Sequence, residues 1–161
     1  AAPTDPSWPG IADRHGPEEN AVIASDDEAI VIEWFTQRFG SDASRFPIGP
    51  AGLPTPDVAM FDDERYDRAL RRTSNEGLRQ GVLGLAVDRL VRSRPWTFDP
   101  ATIDVPCEII HGEQDTVAPI EHGEHNHDLI RGSTLTRYPE HGHLSIFTEL
   151  PALAARLTAT S

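Results

Sequence analysis

Two residues of types that move protons each follow a short apolar run. Asp115 ends the segment His111-Gly112-Glu113-Gln114-Asp115, and His143 ends Pro139-Glu140-His141-Gly142-His143. An aspartate hydrogen-bonded to an imidazole fixes its tautomer and stabilises the imidazolium. The imidazole can then act as a general base toward a hydroxyl or water. His141 competes for that role, but it precedes Gly142 rather than following it. A second chemistry is suggested by His122, His125 and His127, with His111, His141 and His143 nearby in sequence. Neutral imidazoles suit zinc. On a helix, however, His122 and His125 share a face while His127 points elsewhere. Leu129 and Ile130 also stand where an H-x-H-x-D-H motif needs an acid and a histidine. This run therefore reads as a solvated, His-rich helix, and no metal ligand is assigned. Cys107, the only cysteine, lies in an apolar run and reads as an inert small hydrophobe; alone, it can form no internal disulfide.

The elements that must position Asp115 and His143 follow from the pattern around them. Val105 to Gly112 predicts a strand ending at a glycine turn, and Pro119 to Arg131 a helix opening on proline. Ser133 to Tyr138 predicts a second strand. Leu150, Leu153, Ala154 and Leu157, spaced i, i+3, i+4, i+7, predict a closing helix. Strand, helix, strand, helix is a βαβα unit with parallel strands. Ligands bind beyond the carboxyl ends of such strands. The 28 residues from Asp115 to His143 return the chain to the same rim.

The preceding region is helical and proline-punctuated. Ser25-Asp26-Asp27-Glu28 is a capping-box signal for a helix over 26–39, whose apolar face is Ala29, Ile30, Ile32, Trp34, Phe35 and Phe39 and whose stop is Gly40. Residues 41–60, with Pro47, Pro50, Pro54 and Pro56, read as a loop. Asp62 to Arg72 predicts a helix with a charged, solvated face. Thr73-Ser74-Asn75-Glu76 reads as a cap before a helix over 76–93. Gly81 and Gly84 fall inside that last helix, where each costs about 1 kcal/mol against alanine, so a packing reason is expected. Pro95 to Pro100 is a linker, which divides the chain into 1–94 and 95–161. Trp34, Phe35, Met60, Phe61 and Trp96 supply apolar bulk for a core or an acyl pocket.

Composition excludes several classes. The 161 residues suffice for one domain and are thin for two. Fourteen basic residues, all arginine, face 26 acidic ones, leaving a formal charge of −12 and no basic stripe for nucleic acid. No uncharged stretch approaches the ~20 residues that span a bilayer, so no membrane partner is expected. No basic, then apolar, leader opens the chain, and the cytoplasm is the expected compartment.

The segment His111-Gly112-Glu113-Gln114-Asp115-Thr116-Val117-Ala118-Pro119 resembles the acid loop of α/β-hydrolase-fold enzymes, and Gly142-His143 resembles their histidine loop. Pro95 to Asp99 and His122-Gly123 strengthen the likeness, which covers about residues 95–157. The family's chain order is nucleophile, acid, histidine. The resemblance therefore implies Asp115 as acid and His143 as base, with the helical region before them similar to the family's lid. The implied fold class is α/β: a lid, then the closing βαβα of a hydrolase core with an incomplete parallel sheet. The implied activity is hydrolysis of an ester, amide or similar bond in a small molecule, without cofactor or metal. The departure is the nucleophile. No serine here sits in a G-x-S-x-G elbow, so the chain reads as the C-terminal portion of such an enzyme and is expected to be inactive alone. The proline-rich opening at Pro3, Pro6, Pro9 and Pro17 then reads as a loop leaving the absent elbow region. Two strands leave a bare edge, from which self-association, partner pairing or marginal stability is expected. The alternatives are a non-catalytic remnant serving in binding or assembly, and a His-rich metal-binding protein.

Overall fold

A computed structural model describes residues 17–47 and 49–159. They form two compact units, each discontinuous in sequence. Residues 17–49 join Glu64–Asp99 in one, and Pro50–Asp63 joins residues 100–159 in the other. Pro3, Pro6 and Pro9 lie outside the described residues, whereas Pro17 opens a helix.

The first unit is helical. Helix α1 (Pro17–Ala24) carries Glu18 and Glu19 in its first turn, where they suit the helix dipole. Helix α2 (Glu28–Phe39) is capped by Asp27, whose carboxylate accepts from the amides of Ala29 (2.9 Å) and Ile30 (3.3 Å). The expected cap at Ser25 is thus displaced by two residues. The Ser25 hydroxyl instead donates to the Val22 carbonyl (2.6 Å) and closes α1. Gly40 ends α2 at φ +83°, as expected. Helix α4 (Glu64–Gly77) buries no residue and pairs Asp67 with Arg71 (2.7 Å) and Glu64 with Arg68 along its charged face. It runs straight through Thr73–Glu76, so the expected cap there is also corrected. The next helix, α5 (Val82–Ser93), begins only after Gly81.

Gly81 therefore precedes the helix rather than lying within it. Its φ of +70° disfavours any side chain, and a Cβ there would sit 2.1 Å from the Ser41 carbonyl oxygen. That carbonyl accepts the Val82 amide at 3.0 Å. Gly84 is different: a Cβ there would meet nothing within 4 Å, and no packing reason for it is visible. Helices α2 and α5 pack around Val31, Phe35, Val82, Ala86 and Leu90, with Val22, Ile32, Trp34, Phe39 and Leu85 against them. Ile30, counted in the apolar face, is exposed.

The second unit is α/β. Helix α3 (Thr55–Asp62) replaces the end of the expected 41–60 loop. Pro56 sits in its first turn, where a missing amide costs nothing, and Asp57 follows. Strand β1 (Glu108–Gly112), helix α6 (Ile120–Leu129), strand β2 (Thr134–Tyr138), a 3-10 segment (Ser145–Glu149) and helix α7 (Leu150–Ala159) then follow in the anticipated order. β1 pairs with β2 in parallel, in register from Glu108–Thr134 to Gly112–Tyr138. β1 starts three residues later than the pattern predicts, beyond Pro106, which has no amide to give a ladder.

Candidate functional site

Both strands deliver their following loops to one rim. Glu113 donates its amide to Tyr138 O (3.0 Å), and Gln114 donates to His141 O (2.9 Å). The Gln114 side chain adds a bond to Pro139 O (2.9 Å). Gly112 makes the approach possible, since a Cβ there would lie 2.3 Å from His141 O.

This stitching brings Asp115 and His143 together. Asp115 Oδ2 lies 2.8 Å from His143 Nδ1. Asp115 Oδ1 accepts from the amides of Val117 (2.8 Å) and Ala118 (2.6 Å), so the whole carboxylate is held by donors. A carboxylate can only accept here, which places the proton on His143 Nδ1. Nε2 then carries the lone pair in the neutral ring, and it makes no hydrogen bond among the described residues. The Asp115 side chain is 6% exposed and that of His143 19%. Burial pushes the Asp115 carboxyl up, but the His143 bond and the Ala118 and Val117 amides outweigh it. The net result lies below the ordinary aspartate range.

A cavity of about 160 Å³ adjoins the pair. Asp115 and His143 line it together with Gly112, Ala118 and the apolar side chains of Ile146, Phe147 and Leu150. His111 also lines it. Its Nε2 is fixed 2.7 Å from Ala118 O, and the ring packs on Gly123, where a Cβ would come within 2.8 Å. His122 lines the cavity as well, while His141 and His127 go elsewhere. His141 turns toward Glu149 (3.4 Å) and against the Tyr138 ring, and His127 Nδ1 meets Ser133 Oγ at 2.8 Å. Among the described residues no three His, Cys, Asp or Glu side chains converge as a metal site.

One residue of this site is absent from the sequence-based expectations. Asp57, on α3, is wholly buried. Its Oδ2 accepts the His143 amide (2.7 Å), and its Oδ1 accepts the amides of Leu144 (3.0 Å) and Ser145 (2.8 Å) and the Ser145 hydroxyl (2.8 Å). Ser145 Oγ in turn accepts the Gly142 amide at 2.7 Å. Gly142 must be glycine, because a Cβ would fall 2.6 Å from both Asp57 oxygens. The Thr55-Pro56-Asp57 run is a helix-start signal that would have revealed α3. Nothing local links Asp57 to a loop 86 residues on.

The fold and site define an α/β protein with an aspartate–histidine pair at the strand ends. No protein-family model matches the chain, and no curated protein matches it either. Among solved structures it is similar to an esterase, EaEST, from Exiguobacterium antarcticum. Identity is 20% and the TM-score 0.49, over 89% of this chain and 47% of that one. The chain thus spans under half the length of that esterase.

Proposed function

We propose that this chain carries the acid and base of an α/β-hydrolase-type enzyme that cleaves an ester, amide or similar bond in a small molecule. The reading rests on one observation: the 2.8 Å bond from Asp115 to His143 Nδ1, which leaves Nε2 free of protein partners among the described residues. Asp115 holds the ring and stabilises it when protonated. Nε2 takes the proton of an attacking hydroxyl, or other nucleophile, and returns it to the leaving group. The nucleophile comes from a segment outside these 161 residues, since no G-x-S-x-G elbow occurs within them. This chemistry calls for neither metal nor cofactor. The helices of the first unit, α1, α2, α4 and α5, take the role of a lid.

A second reading, a binding or assembly module, draws on Phe98, Val105, Phe147 and Leu150, all large, apolar and exposed. Pairing along an edge of the two-stranded sheet would serve either reading. No helix among the described residues is long and apolar enough to cross a membrane. Placement in the cytoplasm belongs to this proposal and leans on the lone cysteine.

The test has two arms. The 161-residue chain alone is expected to resist a serine-directed phosphonate; stoichiometric labelling would overturn the external nucleophile. In a longer protein that supplies the nucleophile, His143→Ala and Asp115→Asn should each lower kcat by about 10³-fold or more, with the fold retained. Parent-like activity in either variant refutes the assignment.

A further inference from the structure

The ring bond to Asp115 fixes how the His143 imidazole turns, but not where its main chain lies. His143 belongs to a short connection between β2 and the 3-10 segment. A displacement of about 1 Å there would break a 2.8 Å bond. The main chain is held instead by Asp57. The amides of His143, Leu144 and Ser145 reach that carboxylate directly, and the Gly142 amide reaches it through the Ser145 hydroxyl. Four consecutive amides thus converge on one buried side chain. It stands on a helix, a stiffer support than a loop.

The bonds to Leu144 and Ser145 are what a cap on the 3-10 segment would make. The bond from Oδ2 to the His143 amide is not, since that residue lies before the N-cap position, Leu144, and bears the base. We infer that Asp57 is the positioning residue of the pair, fixing the His143 backbone so that its ring meets Asp115 at bonding distance. The inference rests on the reading of Asp115 and His143 as acid and base. Asp57 touches no reacting atom and acts only through His143.

The test is an NMR measurement on this chain, labelled with 15N-histidine. In the wild type the His143 Nδ1 proton, deshielded by its bond to Asp115 and protected from water, is expected to give a low-field resonance that exchanges slowly. Asp57→Asn keeps the size of the side chain but turns an NH2 group toward a set of N–H donors. The variant is expected to retain its far-UV circular dichroism and to lose that resonance. A folded Asp57→Asn protein with the wild-type resonance and exchange rate would show Asp57 to be a helix cap alone, which overturns the inference. Should Asp57→Asn not fold, Ser145→Ala decides. It removes one bridge and should speed exchange of the Nδ1 proton about fivefold, the factor equivalent to one net hydrogen bond. An unchanged rate overturns the inference. A wild type without the resonance, or an Asp115→Asn variant that keeps it, sinks the acid–base reading first and this inference with it.

Discussion

In the helical unit the side chains withdrawn from water include Val31, Phe35, Val82, Ala86 and Leu90. In the strand-bearing unit they include Asp57, His111, Asp115, His122, Asn126, Ser133 and Ser145, beside the apolar Met60 and Ala118. The first set gains free energy from buried apolar area and close packing. The second gains little from burial, since each polar group must recover in hydrogen bonds what it loses in hydration. What the polar set supplies is position: three amides and a hydroxyl on Asp57, two amides and a ring on Asp115. The contrast teaches that one unit is organised for stability and the other for placing particular atoms.

The contrast can be broken by paired truncations. Phe35→Ala should cost about 3–5 kcal/mol by leaving a cavity in the helical core. Asp57→Leu should cost a similar ~3–5 kcal/mol for a different reason, the stranding of buried donors. Urea unfolding reads both. Hydrogen exchange separates them, with Phe35→Ala loosening the amides of α2 and α5 and Asp57→Leu those of 142–145. Equal loosening of both regions by either change would dissolve the distinction. A smaller effect is expected at Gly81, where alanine must both adopt φ +70° and avoid the Ser41 carbonyl. The cost should be about 2–3 kcal/mol in the urea midpoint analysis, and an unaltered midpoint would show that the α2–α5 connection yields freely.

The smallest expected effect is on pH dependence, and it sharpens the contrast. The Asp115 carboxyl titrates below its unfolded value of about 3.9. Its contribution to stability is therefore complete above that value and is lost as pH falls through the folded one. Stability measured from pH 6 downward should decline in the wild type and decline less in Asp115→Asn. An identical acid limb in the two would mean that Asp115 is not held as described. Phe35→Ala should shift the whole curve without changing the shape of that limb.

Legibility followed the same division. Apolar spacing located α2, α5 and α7, because burial at fixed helical intervals leaves a periodic trace in sequence. The boundaries slipped where two polar side chains stood close to one helix start. Ser25 and Asp27 are both good caps, and the one that faced the Ala29 amide prevailed. Four prolines make residues 41–60 look like loop, although Pro56 lies where a helix accepts one. Asp115 and His143 were legible because strand ends mark a rim. Asp57 was not, because hydrogen bonds across 86 residues have no period and no motif.

The order in which the chain visits its two units has one further consequence. It passes from the helical unit to α3, returns for α4 and α5, and crosses again at residue 100. The two units alternate along the sequence, and no single cleavage releases either one whole. A fragment starting in the Pro95–Pro100 linker would keep both strands, Asp115 and His143, yet leave behind the carboxylate that tethers the histidine loop. Dissection of this polypeptide would have to carry Pro50–Asp63 along with the C-terminal piece.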